Sequence, residues 1–195
     1  MKIKKSLKIS LDKFINLSLY DNKSGFYMKK NPFGKKGDFI TAPNISRLFS
    51  EMIAIWIISF WKSLGSPKKF NLIELGAGNG EMMRVFIESF KRFPSFFSSC
   101  NFIIHEKSPS LVKIQKKKFS KDKIIWTSQI SRIKKNPSIF VANEFFDSIA
   151  IKQFRKNKNQ WFEKYVLFNN KKKASFFEKK INIKKLEKKI NLKIS

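Results

Sequence analysis

Three glycines stand at alternate positions in the stretch LIELGAGNGEMM, which runs from Leu72 to Met83. An apolar run precedes Gly76, Gly78 and Gly80, and a run with helical character follows them. Glycine permits a tight turn and lets a ligand approach the backbone closely, and a turn that opens a helix offers unpaired N–H groups to an anion. We therefore predict a turn that binds a nucleotide-type cofactor; the alternative is an ordinary glycine-rich connection between a strand and a helix.

The spacing of these glycines separates two classes of cofactor. A dinucleotide loop has the pattern G-x-G-x-x-G, but counting from Gly76 places Glu81 where its third glycine would stand. The pattern here is G-x-G-x-G with Glu74 before it, which resembles motif I of the class I S-adenosylmethionine (SAM) methyltransferases. The amino-acid end of SAM carries an ammonium, which Glu74 can bind, and a carboxylate, which the N–H groups of the turn from Gly76 to Gly80 can bind. We therefore predict SAM as the cofactor.

A second acidic residue is expected after the next strand, where it can bind the ribose hydroxyls of the cofactor. Glu106 ends the stretch NFIIHE and occupies that position. The alternative is a surface acid that caps the helix predicted to begin at Pro109, and the two roles are compatible. Neighbouring residues of a strand point to opposite faces, so His105 is expected to face away from the cofactor and to pack in the core.

Strands and helices alternate along the part of the chain that must position these residues. Apolar periodicity and turn signals predict helices at 10–21, 46–64, 80–92 and 109–119, and strands at 70–75, 101–106, 124–126, 138–143, 151–154 and 161–168. Such alternation is typical of an α/β fold, here a Rossmann-like parallel sheet with helices on both faces.

Three parts of the chain are predicted from this pattern. Residues 1–66 form an N-terminal helical segment with the GDFITAP loop, and residues 67–170 form the SAM-binding core. Residues 171–195 form a lysine-rich tail or the remainder of the fold, in which Ile183, Leu186 and Ile190 share one face of a short helix.

Positive charge dominates the composition, with 42 Lys and Arg residues against 14 Asp and Glu and a formal net charge of +28. Arginine occurs only at positions 47, 84, 92, 132 and 155, whereas Lys, Ile, Asn and Phe, which have AT-rich codons, are abundant. Because arginine is the residue better suited to phosphate, we attribute the charge to an AT-rich genome and expect no nucleic-acid partner.

Other features of the composition indicate the cellular compartment of the protein. The single cysteine, Cys100, fits a reducing compartment, and the N-terminal residues lack the apolar region of a secretory signal. The apolar stretch Met52 to Trp61 is too short to span a bilayer and is predicted to be a buried helix. We therefore expect a protein of the bacterial cytoplasm.

Two further stretches make the resemblance more specific. GDFITAPNISRLFSEMIAIW precedes the glycines, as does SGFYM, and NEFFDSIAIKQF follows them. With ELGAGNG between these stretches, the chain resembles the MidA family of SAM-dependent methyltransferases, which occurs in bacteria and includes a mitochondrial assembly factor of respiratory complex I. The resemblance implies the class I methyltransferase fold, SAM as cofactor and methylation of a protein arginine, with a complex I subunit as the acceptor. For eukaryotic members it implies the mitochondrial matrix.

The chain departs from the family pattern at four positions and in its length. The family usually has Glu at the position of Asn44 and Gly at that of Ser50, and its glycine loop often has Pro and Arg at those of Ala77 and Asn79. The three glycines are retained, so the departures concern substrate contacts more than the cofactor. Family members are far longer and the class I fold has seven strands, so we expect the fold to be truncated at the C-terminus.

The stretch NEFFD follows the fourth strand of the core, at the edge of the sheet where substrate groups belong. An arginine acceptor is positively charged at neutral pH, and carboxylates can hold it with paired hydrogen bonds. We assign Glu144 and Asp147 to this role, with the two phenylalanines between them as walls. Asp38 is a third candidate acid that closes over the cofactor, and Asn143 is assigned to cofactor binding.

The same residues allow other functions. Asp147 can cap a turn, Glu144 can support other groups, and the two phenylalanines can belong to the core. The chain would then be a non-catalytic SAM-binding module for assembly or interaction. A nucleic-acid methyltransferase would carry an N-P-P-Y-type motif after the fourth strand, where this chain reads NEFF. We expect a protein substrate, no metal and no membrane span.

Overall fold

The computed structural model describes residues 7–29, 32–34, 37–168 and 173–194. The helices are α1 (Leu11–Tyr20), α2 (Phe26–Lys29), α3 (Ala42–Ile45), α4 (Arg47–Ser63), α5 (Glu81–Phe90), α6 (Pro94–Ser99), α7 (Pro109–Lys118) and α8 (Ile183–Ile190). The strands are β1 (Leu7–Ser10), β2 (Phe70–Leu75), β3 (Cys100–His105), β4 (Ile124–Thr127), β5 (Ser138–Ala142), β6 (Phe154–Asn157), β7 (Gln160–Phe168) and β8 (Ala174–Ile181). These elements form two compact units, Asn22–Ser148 and the described residues of Met1–Asp21 with Ile149–Ser195.

A four-stranded parallel sheet is the framework of the unit Asn22–Ser148. Its strand order is β4-β3-β2-β5, and Leu72 of β2 is aligned with Phe102 on one side and with Ile139 on the other. Every residue of β2 is buried, as expected for a strand with a neighbour on each edge. The carboxyl ends of the strands meet at one edge, which is where open α/β sheets bind ligands.

The main hydrophobic core lies on one face of this sheet. Alternate strand residues enter it, because successive side chains of a strand point to opposite faces. They pack with residues of α4 and α5; the strand and helix side chains include Phe70, Leu72, Phe102, Ile104, Ile139, Ala54, Ile57, Trp61, Met83, Phe86 and Phe90. On the opposite face, Ile73, Leu75 and Ile103 form a smaller cluster, against which Ile133 and Phe145 pack.

Helix α4 contains the stretch that was predicted to be a buried helix, but it buries only one face. Ile57 and Trp61 lie in the core, whereas the side chains of Met52 and Trp56 are more than half exposed. The predicted helix is therefore confirmed and its burial holds for one face only, because an apolar run does not define how many faces of a helix are covered. Within the described ranges, no helix is both long and apolar enough to cross a membrane.

An antiparallel sheet is the framework of the second unit. The long strand β7 pairs with β8 along one edge and with both β6 and β1 along the other. Helix α1 packs on this sheet through Phe14, whose ring centroid lies 5.7 Å from that of Phe168. Asp12 of the same helix forms an ion pair with Lys152 at 3.2 Å.

The strand predicted at 151–154 is wrong. Strand β6 begins at the last of those residues and continues through the basic segment RKN, and the turn that follows it is confined to Lys158 and Asn159. The guanidinium of Arg155 lies 5.3 Å from the ring centroid of Phe162 on β7. Long basic side chains can cover aromatic rings on a neighbouring strand in this way. The segment RKN can therefore continue the strand although its residues are polar.

Two strands, β1 and β8, were not predicted from the sequence. Strand β8 pairs with β7 from Ala174 to Ile181, and β1 pairs with the C-terminal half of β7. The pairing of β1 places the first described residues in one unit with those from position 149 onwards, so the boundaries between the units fall at 21/22 and 148/149 along the chain. The predicted parts ended at 66 and 170 because sequence periodicity contains no information on this long-range pairing.

Candidate functional site

The three glycines form the turn between β2 and α5. All three have positive φ angles: 67° at Gly76, 55° at Gly78 and 77° at Gly80. L-residues with side chains rarely adopt this backbone conformation, which explains why glycine is needed at each position. The N–H of Gly76 donates to the carbonyl of His105 at 2.9 Å, which fixes the turn against the end of β3.

Each of these glycines is also covered by an aromatic ring. A Cβ atom at Gly76 would lie 2.6 Å from Cδ2 of Phe145, one at Gly78 would lie 3.2 Å from Cδ2 of Phe33, and one at Gly80 would lie 2.8 Å from Cε2 of Phe119. The first and third distances are shorter than the contacts that carbon atoms make when they are not bonded to each other. A side chain would therefore displace rings as well as strain the backbone.

Glu74 lies beneath this turn and is only 3 % exposed. Burial raises the pKa of its carboxyl to about 8, and the negative charge of Glu106 adds to this rise, whereas Lys118 and the backbone N–H of Met83 oppose it. Its Oε2 atom has no hydrogen-bond partner among the residues that the structure describes. A buried carboxyl oxygen without a partner is costly, and a cationic group of a ligand would provide one.

A cleft of about 100 Å³ opens above Glu74. The glycine turn and the start of α5 form one part of its lining. The other lining residues come from two further segments: Tyr27, Phe33, Phe39, Thr41, Pro43 and Asn44, and Asn143, Glu144 and Asp147. The lining includes the rings of Tyr27 and Phe33, which are stacked at 6.1 Å between centroids.

The charge of the cleft is opposite to that of the protein. Four acidic residues line it, namely Glu74, Glu81, Glu144 and Asp147, and none of the described residues that line it is Lys or Arg. Glu81 is already paired with Lys118 at 3.0 Å. In a chain of net charge +28, this concentration of carboxylates favours a cationic ligand.

The predicted acceptor residues are only partly brought together. Asn143, Glu144 and Asp147 line the cleft, and Glu144 has a positive φ of 49°, a conformation that is strained for a residue with a side chain and is often found at functional sites. Asp38 is exposed and is not among the residues lining the cleft. Phe146 is 70 % exposed and does not line it either.

Phe145 and His105 lie together on the other side of the glycine turn. The two rings meet edge to face with centroids 6.3 Å apart. His105 is buried, and burial lowers the pKa of its imidazole. It lies on the opposite face of the sheet from Glu74, as the alternation along a strand predicts, and it packs in the interior.

Glu106 stands directly after β3 and is tied to the backbone that follows it. Its Oε1 accepts hydrogen bonds from the N–H groups of Lys107 and Ser108, both at 2.9 Å. The helix cap is Ser108, whose Oγ accepts from the N–H of Leu111 at 3.3 Å. Burial raises the pKa of the Glu106 carboxyl. A carboxylate has about four acceptor positions, so Glu106 retains capacity for hydroxyl donors.

Sequence reasoning missed one functional candidate, Gln115 of α7. Its side chain is fully buried and contacts Gly78, Glu106 and Trp126. A signal was present: Gln115 is four residues from both Leu111 and Phe119, so a polar residue stands on the apolar face of the predicted helix.

The fold and the turn define a Rossmann-like α/β protein with a cleft at the carboxyl edge of a parallel sheet. The chain belongs to the family described as "Putative S-adenosyl-L-methionine-dependent methyltransferase", whose family model matches residues 52–194. This membership confirms the predicted family and SAM as its cofactor. Among the described residues, no group of three or more His, Cys, Asp or Glu could hold a metal ion.

Named relatives agree with this membership, and a solved structure shares the fold. The chain is 31% identical over 186 residues to the mitochondrial protein arginine methyltransferase NDUFAF7 of Xenopus tropicalis, covering 83% of this chain and 43% of that protein. It is 30% identical over 189 residues to the human protein of the same name, covering 85% and 43%. A COG1565 superfamily member from Burkholderia thailandensis, crystallised with S-adenosyl-homocysteine, matches with a TM-score of 0.70 at 17% identity, over 89% of this chain and 46% of that one.

This structural likeness confirms the α/β fold class. The chain spans less than half the length of the curated relatives that it matches.

Proposed function

We propose that this chain binds SAM in the cleft above Glu74 and takes part in transferring a methyl group to an arginine side chain of a protein. One observation carries the proposal: a buried carboxyl with an unpartnered oxygen lies beneath a turn of positive-φ glycines, in an acidic cleft of a strongly basic chain. The ammonium and sulfonium of SAM and the guanidinium of arginine are all cations, and an acidic cleft suits each of them.

The cofactor would be held by residues from three segments. Glu74 would bind the ammonium, and Glu106 would bind the ribose hydroxyls. The N–H groups of Gly76 and Gly80 already donate to the carbonyls of His105 and Ala77, so the N–H groups between them in the turn would bind the carboxylate. Asn143 lines the cleft and offers an amide to the same ligand. Bound SAM supplies an electrophilic methyl group on its sulfonium.

The acceptor would be held by the acids at the end of β5. Glu144 and Asp147 can accept paired hydrogen bonds from a guanidinium and so fix the nitrogen that receives the methyl group. That nitrogen loses a proton on methylation, and a carboxylate oxygen of Glu144 can take it. The ring of Phe145 covers Gly76 from the other side of the turn and packs against the smaller apolar cluster, so it would support the backbone of the site without touching the reacting atoms. Asp38 does not line the cleft, so we assign binding of the substrate guanidinium to Glu144 and Asp147.

The identity of the acceptor rests on the relatives. Proteins named protein arginine methyltransferase NDUFAF7 match most of this chain, which supports a protein arginine. The resemblance to an assembly factor suggests a subunit of respiratory complex I as the substrate. The abundance of Lys, Ile, Asn and Phe suggests a bacterium with an AT-rich genome, and we place the protein in its cytoplasm.

Methyl transfer from labelled SAM to an extract of the source cells tests the proposal. We expect label in a protein band, recovered after hydrolysis as methylated arginine. The double variant Glu144→Gln with Asp147→Asn should lose the label while still binding S-adenosyl-homocysteine, and Asp122→Asn, which alters an acid outside the cleft, should keep it. Label only in RNA would indicate a nucleic-acid methyltransferase, and cofactor binding without any label would indicate a non-catalytic module.

A further inference from the structure

The side-chain amide of Gln115 is completely buried between α7 and the sheet, with 0 % exposure. A buried amide lowers stability unless its donors and acceptor are hydrogen-bonded. Gln115 satisfies this condition with three groups from three different elements. Its contacts therefore connect parts of the chain that are distant in sequence.

The hydrogen bonds fix which way the amide faces. The indole Nε1–H of Trp126 donates to Oε1 of Gln115 at 3.0 Å, and Nε2 of Gln115 donates to the carbonyl of Gly78 at 2.9 Å. An indole N–H can only donate and a backbone carbonyl can only accept, so the amide cannot be reversed. The same Nε2 lies 3.4 Å from Oε2 of Glu106.

The two acceptors on Nε2 belong to the two halves of the cofactor site. Gly78 is the middle glycine of the turn after β2, and Glu106 follows β3. A peptide unit is planar and trans, so its C=O and N–H point in opposite directions. By holding the Gly78 carbonyl, Gln115 turns the N–H of Asn79 away from itself.

The helix that carries Gln115 packs directly on the turn. A Cβ at Gly80 would lie 3.6 Å from Cγ of Gln115 and 2.8 Å from the ring of Phe119. This contact leaves no free space between the side chain of Gln115 and the turn. Besides the backbone hydrogen bond from Gly76 to His105, the Gln115 amide is therefore a side-chain link between the turn and Glu106.

We infer that Gln115 is a positioning residue for the cofactor: it holds the Gly78 carbonyl and the Glu106 carboxylate in fixed relation, so that the turn and the ribose-binding acid act on one ligand together. The inference rests on the proposed function, because it assigns Gln115 a role in binding the same cofactor. Gln115 itself need not touch the ligand.

Three variants separate the donor side of the amide from its acceptor side. Gln115→Met keeps nearly the same volume and removes all three contacts. Gln115→Glu keeps an acceptor for Trp126 but, when ionised, loses the donor to Gly78 and Glu106. Trp126→Phe leaves the Nε2 contacts in place while deleting one buried hydrogen bond, so it is the matched control for a purely structural effect.

The measurement is the dissociation constant for S-adenosyl-homocysteine, by calorimetry, alongside urea unfolding of each variant. We expect both Gln115 variants to bind about tenfold more weakly and Trp126→Phe to change the constant by less than about threefold. Gln115→Met can also be combined with Glu106→Gln in a double-mutant cycle. The double variant should lose less binding free energy than the sum of the losses in the two single variants, because both residues act on one ligand group.

If a folded Gln115 variant binds S-adenosyl-homocysteine with wild-type affinity, the inference is overturned while the proposed function stands. The same holds if Trp126→Phe weakens binding as much as the Gln115 variants do. If one Gln115 variant fails to fold, the other carries the same comparison. A folded wild-type chain that does not bind S-adenosyl-homocysteine overturns the proposed function and this inference together.

Discussion

The side chain of Asn79 donates a hydrogen bond of 2.7 Å to the side chain of Asn44, which joins the glycine turn to the segment before α4. Both residues line the cleft. These are two of the positions at which the chain departs from the family that its sequence resembles, where Arg and Glu usually stand. The two departures are thus in contact, and a neutral amide pair stands at positions where the family usually has an acidic and a basic residue.

Exchange of this pair for charged residues should show coupling between the two positions. Asn44→Glu adds a carboxylate to an already acidic cleft, and Asn79→Arg alone places a guanidinium there without its partner. In the double variant the two charges can pair, so we expect its free energy of unfolding to exceed the additive value by about 1 kcal/mol. Urea unfolding of the four proteins gives this coupling. A coupling of zero would mean that the two positions vary independently.

The raised pKa of Glu74 predicts a defined dependence of stability on pH. Its carboxyl titrates near 4.5 in the unfolded chain and at about 8 in the folded one, so between these values the folded state holds a proton that the unfolded state has lost. The free energy of unfolding therefore falls as pH rises through this window, by at most about 1.4 kcal/mol per pH unit from this group. Above the folded pKa the loss is complete.

Glu74→Gln removes this contribution, so we expect the variant to gain stability relative to wild type between about pH 5 and about pH 8. Urea unfolding at several pH values gives the difference, in which the other titrating groups largely cancel. Asp122→Asn, at a partly exposed acid paired with Lys91, serves as the control and should change little over the same window. A constant difference between Glu74→Gln and wild type would show that the carboxyl titrates normally.

Cofactor binding should release a proton from the same carboxyl. At pH 7 a group with a pKa of about 8 is mostly protonated, and a bound ammonium favours its ionised form. We expect about one proton released per S-adenosyl-homocysteine bound, measured by calorimetry in buffers of different ionisation enthalpy. Glu74→Gln should bind more weakly and release none. Equal proton release by both proteins would assign the event to another group.

Local sequence patterns were sufficient for the framework of the site. The apolar run of β2, the glycine spacing and the apolar face of α5 are each encoded within a few neighbouring residues, and their positions agree with the structure. Glu74 and Glu106 could be placed because the ends of neighbouring parallel strands meet at one edge of the sheet.

Long-range contacts could not be predicted in this way. Asn44 and Asn79 are 35 residues apart, and Gln115 is 37 residues from Gly78. Nothing in the local pattern of either partner indicates the other. The position of Asp38 outside the lining of the cleft could not be predicted for the same reason, since a loop sequence does not define which of its side chains faces a cleft.

The antiparallel strands were difficult for a different physical reason. Strand β8 mixes exposed lysines with Phe176 and Phe177, so it lacks the alternation of apolar and polar residues that marks a half-buried strand. Its pairing includes cross-strand contacts such as Lys179 with the ring of Tyr165, at 5.6 Å from the centroid. Cross-strand pairs of this kind stabilise a sheet, but they become visible only when both strands are known.

Titration of the folded chain with S-adenosyl-homocysteine tests the central claim most directly, with Gly78→Ala and Gly65→Ala as a matched pair. Both glycines have positive φ, but a Cβ at Gly78 would lie 3.2 Å from Phe33, whereas a Cβ at Gly65 would meet nothing within 4 Å. Each variant should lose about 1–2 kcal/mol of stability through backbone strain. We expect saturable binding at one site in wild type and in Gly65→Ala, and about tenfold or greater weakening in Gly78→Ala only. No saturable binding to folded wild type, or equal binding by all three proteins, would contradict a cofactor site at the glycine turn.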